Sequence, residues 1–174
     1  INPDEPEKTA LRAGEEGYTA FKLKVGFEDE LDHRNLKTMR ETLGEDVKIM
    51  TDANQRWDIA KAIQMTSELG DYSPYWIEEP IAADRPAAEW RELQKASPID
   101  LAAGENLRGS EFTEVCEDSY LTYIQPDIAK WGGFSGCLPV ARKAQEEGKI
   151  YCPHYLGGGI GLLASAHLLA NAIS

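Results

Sequence analysis

Phe21-Lys22-Leu23-Lys24-Val25 decides how this 174-residue chain is read. A period of two puts Phe21, Leu23 and Val25 on one face of a strand and both lysines on the other. Counting on from Lys24, an ionisable group recurs at predicted strand ends: Asp52, Glu78, Glu105, Asp127 and His154, at steps of 28, 26, 27, 22 and 27 residues. One β/α unit of a closed barrel takes about 30 residues, and barrel enzymes place catalytic groups at the carboxyl ends of their strands. The interval therefore predicts one shared site on a parallel (β/α) barrel.

The segments around these residues agree with that reading. Gly17, Gly44, Gly70 and Gly148 stand where a helix gives way to a strand, and each is expected to close its helix in the left-handed conformation. Apolar runs predict strands at 18–25, 47–50, 75–77, 99–103, 121–125 and 150–152, preceded by a helix at 6–16. Ile59, Ala62, Ile63, Thr66 and Leu69 keep helical spacing, as do Cys137, Val140, Ala141 and Ala144. Strand–helix alternation predicts a parallel sheet with right-handed crossovers. Six strands are fewer than the eight of a closed barrel, so residues 1–174 are expected to form one incomplete barrel domain, inactive when isolated.

The formal net charge of −12 disfavours nucleic acid or an anionic membrane as partner and favours a small ligand accompanied by a cation. Three cysteines without a Cys-x-x-Cys pair point to a reducing cytoplasm rather than a zinc or redox site. No unbroken apolar run is long enough to span a membrane.

Read alone, Lys22 and Lys24 are a solvated strand face. Read with their neighbours, two ammonium groups on one side should each pull the other towards the pKa of about 7–8 that suits a base. Asp52 and Asn54 share a face at the next strand end, and Asp52 alone would pass for a helix cap. Asp52, Glu78 and Glu105 together, at the ends of consecutive parallel strands, call for a cation, and an oxygen-only donor set favours Mg²⁺ over zinc. Glu79 should point elsewhere. Asp127 and His154 suit a dyad in which the carboxylate fixes the imidazole tautomer. His33, His167 and the four tryptophans are expected to be structural, and Lys130 to reach either the pocket rim or the surface. The run Gly157 to Gly161 matches a dinucleotide fingerprint only formally. It is read either as an anion-binding turn or as a structural one.

Lys22-x-Lys24, Asp52-Ala-Asn54, Ile77-Glu78-Glu79-Pro80, Gly104-Glu105-Asn106, Pro126-Asp127 with Gly132-Gly133, and Pro153-His154 closely resemble the mandelate racemase subgroup of the enolase superfamily, in the same order. Phe21 to Gly26 and Asp52 to Asp58 resemble its acid-sugar dehydratases, L-fuconate dehydratase among them. The resemblance implies a (β/α) TIM barrel lacking its first and last strands and the N-terminal capping domain, within a homo-oligomeric parent protein. It implies Mg²⁺ on Asp52, Glu78 and Glu105, Lys24 as one acid/base, and His154 oriented by Asp127 as the other. Lys22 and Asn54 would contact substrate. The implied reaction removes a proton alpha to a carboxylate, leading to dehydration of a sugar acid to a 2-keto-3-deoxy acid. The alternatives are racemisation or epimerisation by the same two groups and, in another class, a non-catalytic barrel or a nucleotide-binding domain.

Overall fold

The computed structural model describes residues 4–172, which fall into two compact units divided after Asp100. The first unit runs α1 (Asp4–Glu15), β1 (Ala20–Lys24), α2 (Asp29–Leu43), β2 (Lys48–Asp52), α3 (Ile59–Leu69), a 3-10 turn at Gly70–Tyr72, β3 (Ile77–Glu78) and α4 (Ala87–Ala96). Its strands pair in chain order and in parallel. β1 alternates as its sequence demands: Leu23 and, just beyond the strand, Val25 are buried, while Lys22 and Lys24 are exposed on the other face. α3 turns Ala62, Met65, Thr66 and Leu69 inward, the i, i+3, i+4, i+7 stripe of a helix packed on one side. Asp58 caps it by accepting from the Lys61 amide at 2.8 Å.

The second unit runs β4 (Leu101–Ala103), α5 (Glu111–Glu117), β5 (Tyr123–Ile124), α6 (Gly133–Glu146), β6 (Ile150–Tyr151) and α7 (Gly159–Ala172). Its three strands are again parallel and in chain order. α6 buries Cys137, Val140, Ala141 and Ala144. The six strands predicted from sequence are all present, and the fold class is the expected one, α/β with the parallel strands of a partial (β/α) barrel.

Except for β2, the regular strands are shorter than the apolar runs, yet the paired backbone continues past them. Tyr75 N–H donates to Ile49 O, and Thr51 N–H to Trp76 O, so chain 75–78 runs alongside β2. Likewise Ile150, Cys152 and His154 donate to Thr122, Ile124 and Pro126, and a parallel bridge joins Asp127 to His154. This extension carries the chemistry of each strand end into register with its neighbour.

One glycine departs from expectation. Gly17, Gly44 and Gly148 take positive φ (96°, 86° and 70°), but Gly70 is right-handed, with φ −55°. There the chain continues into the 3-10 turn, and the left-handed residue is Ser73 at φ 50°. Gly70 is required instead by close packing, since a Cβ would stand 2.6 Å from Pro98 Cγ. Arg40, in α2, holds the region behind it: its guanidinium donates to the carbonyls of Gly44, Glu45, Val47, Tyr72 and Ser73. Among the described residues no helix is long and apolar enough to cross a membrane.

Candidate active site

Lys24, Asp52 and Glu78 form one row across three strands, because Lys24 pairs with Asp52 in the β1–β2 register and Asp52 with Glu78 in the β2–β3 register. Residues in one register row of a parallel sheet point to the same face. Lys22 lies one strand period back from Lys24 on that face. Its Nζ stands 2.9 and 3.0 Å from the two Glu78 oxygens and 3.1 Å from Asp52 Oδ2. Lys24 Nζ donates to Asp52 Oδ2 at 2.5 Å and to Asn54 Oδ1 at 2.7 Å. Five residues singled out in the sequence, Lys22, Lys24, Asp52, Asn54 and Glu78, are thus brought together in the first unit.

Asp52 and Glu78 are each 1% exposed. Buried carboxylates need compensating charge, and here the lysines supply it. Burial pushes the Asp52 carboxyl up, but the ammonium groups of Lys24 and Lys22 outweigh it and hold the group below the usual range. For Lys22 burial pulls the ammonium down, while Glu78 and then Asp52 raise it, and the carboxylates win. For Lys22 this corrects the expectation that the neighbouring lysine would lower it. At Lys22 two carboxylates within about 3 Å count for more than a like charge on the neighbouring position. Asp52 is not a helix cap. Its Oδ1 accepts from the Asn54 amide at 3.0 Å and shapes the turn after β2.

The second unit assembles the remaining residues. Asp127 is 1% exposed. Its Oδ1 accepts from the amides of Ala129 and Lys130 (2.8 and 3.1 Å), and its Oδ2 lies 2.8 Å from His154 Nδ1. The carboxylate is therefore fixed by its own turn before it orients the ring. His154 Nε2 meets Glu105 Oε2, and Lys130 Nζ is 3.3 Å from Glu105 Oε1. Carboxylate oxygens at both ring nitrogens favour the charged imidazolium, the form that donates from both. The bond from His154 outweighs burial and, with the Lys130 charge, holds the Glu105 carboxyl down to about 2. Lys130, assigned from sequence to rim or surface, is an ion-pair partner of Glu105. Glu105 itself is presented by Gly104 (φ 148°), where a Cβ would lie 2.6 Å from Gln125 N.

Residues assigned structural roles have local reasons for them. His33 pairs with Glu68 at 3.0 Å and meets the Tyr72 ring edge-on. Trp57, Trp76 and Trp90 are buried. In the glycine run, which sequence leaves as an anion-binding or a structural turn, the Tyr155 ring lies against Gly157 and Gly161 and would have to shift to admit a Cβ at either. Glu79 is buried beside Glu78, with φ 41°.

The donor chemistry of the first unit suits a hard cation. Two buried carboxylates converge on a single ammonium, so that nitrogen marks a place where positive charge is required, and all the donors facing it are oxygens.

Residues 6–174 match the model of the enolase C-terminal domain-like family. A solved mandelate racemase/muconate lactonizing enzyme from Bordetella bronchiseptica RB50 superposes with a TM-score of 0.95 at 56% identity, covering 99% of this chain and 48% of that one. A racemase from Streptomyces coelicolor A3(2), solved with bound magnesium, gives a TM-score of 0.90 at 27% identity, covering 98% and 46%. L-Galactonate dehydratase of Hypocrea jecorina is 35% identical over 151 residues, 84% of this chain and 33% of that protein. The chain spans 33–42% of the length of the curated relatives compared and about half of the solved ones.

Proposed function

Because the chain belongs to the enolase C-terminal domain-like family, we propose that it forms part of an enzyme that removes the proton alpha to a carboxylate in a Mg²⁺-dependent reaction. The substrate class is a sugar acid, dehydrated to a 2-keto-3-deoxy acid. The observation that carries this reading is the Lys22 ammonium held between Asp52 and Glu78, two buried carboxylates in one register row.

Asp52 and Glu78, with Glu105 at the following strand end, are assigned as the oxygen ligands. Bound Mg²⁺ supplies Lewis-acid stabilisation of the charge that develops on the substrate carboxylate, an effect worth several kcal/mol. Lys24 is assigned as the group that takes the alpha proton. Lys22 and Asn54 neutralise and orient the substrate carboxylate and a neighbouring hydroxyl. His154 is assigned as the acid: Asp127 holds its Nδ1, so Nε2 is the atom that moves a proton. Loss of the alpha proton leaves an electron pair that expels the β-hydroxyl, and a proton delivered by His154 lets that group leave as water. A ring flanked by carboxylate oxygens at both nitrogens suits this acid role, and the 35% identity to L-galactonate dehydratase supports the same outcome.

Racemisation or epimerisation is the second reading. It uses the same two groups, one removing the proton and the other returning it to the opposite face, and is supported by the likeness to a magnesium-bound racemase. A panel of sugar acids and 2-hydroxy acids, assayed with the full-length protein and Mg²⁺, tests both readings. Formation of a 2-keto-3-deoxy acid supports dehydration, and inversion without loss of water supports racemisation. Mg²⁺-independent turnover, or no turnover across the panel, would count against the proposal.

A further inference from the structure

The turn after β2 holds two consecutive non-glycine residues in left-handed backbone, Asn54 (φ 45°) and Gln55 (φ 63°). The turn after β3 opens on a third, Glu79 (φ 41°). Side chains disfavour this conformation, and it persists only where the surroundings hold it. Two of the three strained residues hold each other: Gln55 N–H donates to Glu79 O at 2.7 Å. The Gln55 side chain then reaches the far end of the same turn, its Oε1 accepting from the Ala83 amide at 2.8 Å. One residue therefore grips both ends of the segment that follows Glu78. Flanking bonds from Ala53 N–H to Glu78 O and from Trp57 N–H to Pro80 O keep the two turns in step.

The residue type is informative. Glycine would take φ 63° without strain but would leave the Ala83 N–H without its acceptor. Asparagine tolerates left-handed backbone better yet is one methylene shorter. Gln55 meets both demands, and none of the proton-transfer or ligand roles assigned above uses it. Resting on the reading of Asp52 and Glu78 as metal ligands, we infer that Gln55 is a positioning residue that fixes the Glu78 carboxylate against Asp52 by clamping the turn after β3.

The test uses the full-length protein and three variants. Gln55→Met keeps the length and removes the acceptor, Gln55→Gly relieves the backbone and removes the acceptor, and Gln55→Glu keeps an acceptor oxygen. Hydrogen exchange at the Ala83 amide reads the clamp, and calorimetric titration with Mg²⁺ reads its consequence. Gln55→Met and Gln55→Gly are expected to exchange Ala83 faster and to bind Mg²⁺ about tenfold more weakly, the usual cost of losing a partner behind a metal ligand. Gln55→Glu is expected to stay within about threefold of the parent in both. Unchanged Ala83 exchange in both acceptor-less variants would overturn the clamp. Faster exchange with unchanged Mg²⁺ affinity would reduce Gln55 to a structural tie and overturn the positioning role. A parent protein that does not bind Mg²⁺ would overturn the metal reading and this role with it, while Ala83 exchange would still report whether the clamp exists.

Discussion

Asp52 and Glu78 face the same ammonium: register partners across β2 and β3, they stand 3.1 and 2.9 Å from Lys22 Nζ. Two carboxylates this close repel each other unless positive charge intervenes, and the Lys22 ammonium supplies it. If Mg²⁺ binds at these carboxylates, as proposed, it competes with the Lys22 ammonium for them.

Lys22→Met should destabilise the metal-free protein by about 2 kcal/mol, below the 3–5 kcal/mol of a fully buried pair because the lysine is partly exposed. Saturating Mg²⁺ should raise the unfolding midpoint more in the variant than in the parent. Equal Mg²⁺-induced shifts, measured calorimetrically, would mean that ammonium and metal do not compete for these carboxylates.

Glu105→Gln should weaken Mg²⁺ binding and abolish turnover while leaving the fold intact. It should also change acid stability. The folded-state pKa of Glu105, about 2, lies below its ordinary 4.5, so its contribution is fully present above about pH 4.5 and is lost as pH falls through that value towards 2. Metal-free Glu105→Gln should therefore show a flatter stability profile across that window than the parent. Parallel profiles in chemical denaturation would remove the pairing with His154 as the source of acid sensitivity.

His154→Asn should lower dehydration by about 10³-fold, the middle of the range for loss of a general acid, yet leave Lys24 able to exchange the substrate alpha proton with deuterated solvent. Lys24→Ala should lose that exchange. Proton NMR exchange that persists in both single variants, for one enantiomer, would contradict the division of labour between them.

Gly104→Ala should destabilise by about 3 kcal/mol. Both the φ of 148° and the approach of Gln125 backbone within 2.6 Å of a Cβ oppose any side chain there. Thermal unfolding measures the loss. A variant as stable as the parent would show that the β4 end and the chain at Gln125 can move apart.

The sequence by itself determined the order of elements and the positions of the chemistry. Strand periodicity put Lys22 and Lys24 on one face, and the near-constant spacing put Asp52, Glu78, Asp127 and His154 at or just beyond the ends of parallel paired segments, because both signals are local and repeat along the chain. Helix α2, with polar Asp32, Asn35 and Arg40 at buried positions beside Leu36 and Met39, gave a weaker signal, and its role as the anchor of five loop carbonyls through Arg40 could not be read. Tertiary structure alone decided which charges meet. Lys22 is raised rather than lowered because Glu78, 56 residues away, lies within 3 Å of it. Gly70 is packed against Pro98 rather than turned left-handed, and Gln55 reaches Ala83, for the same reason. Electrostatic and steric effects fall off over a few ångströms, and residues that distant in sequence come within that range only when the strands pair.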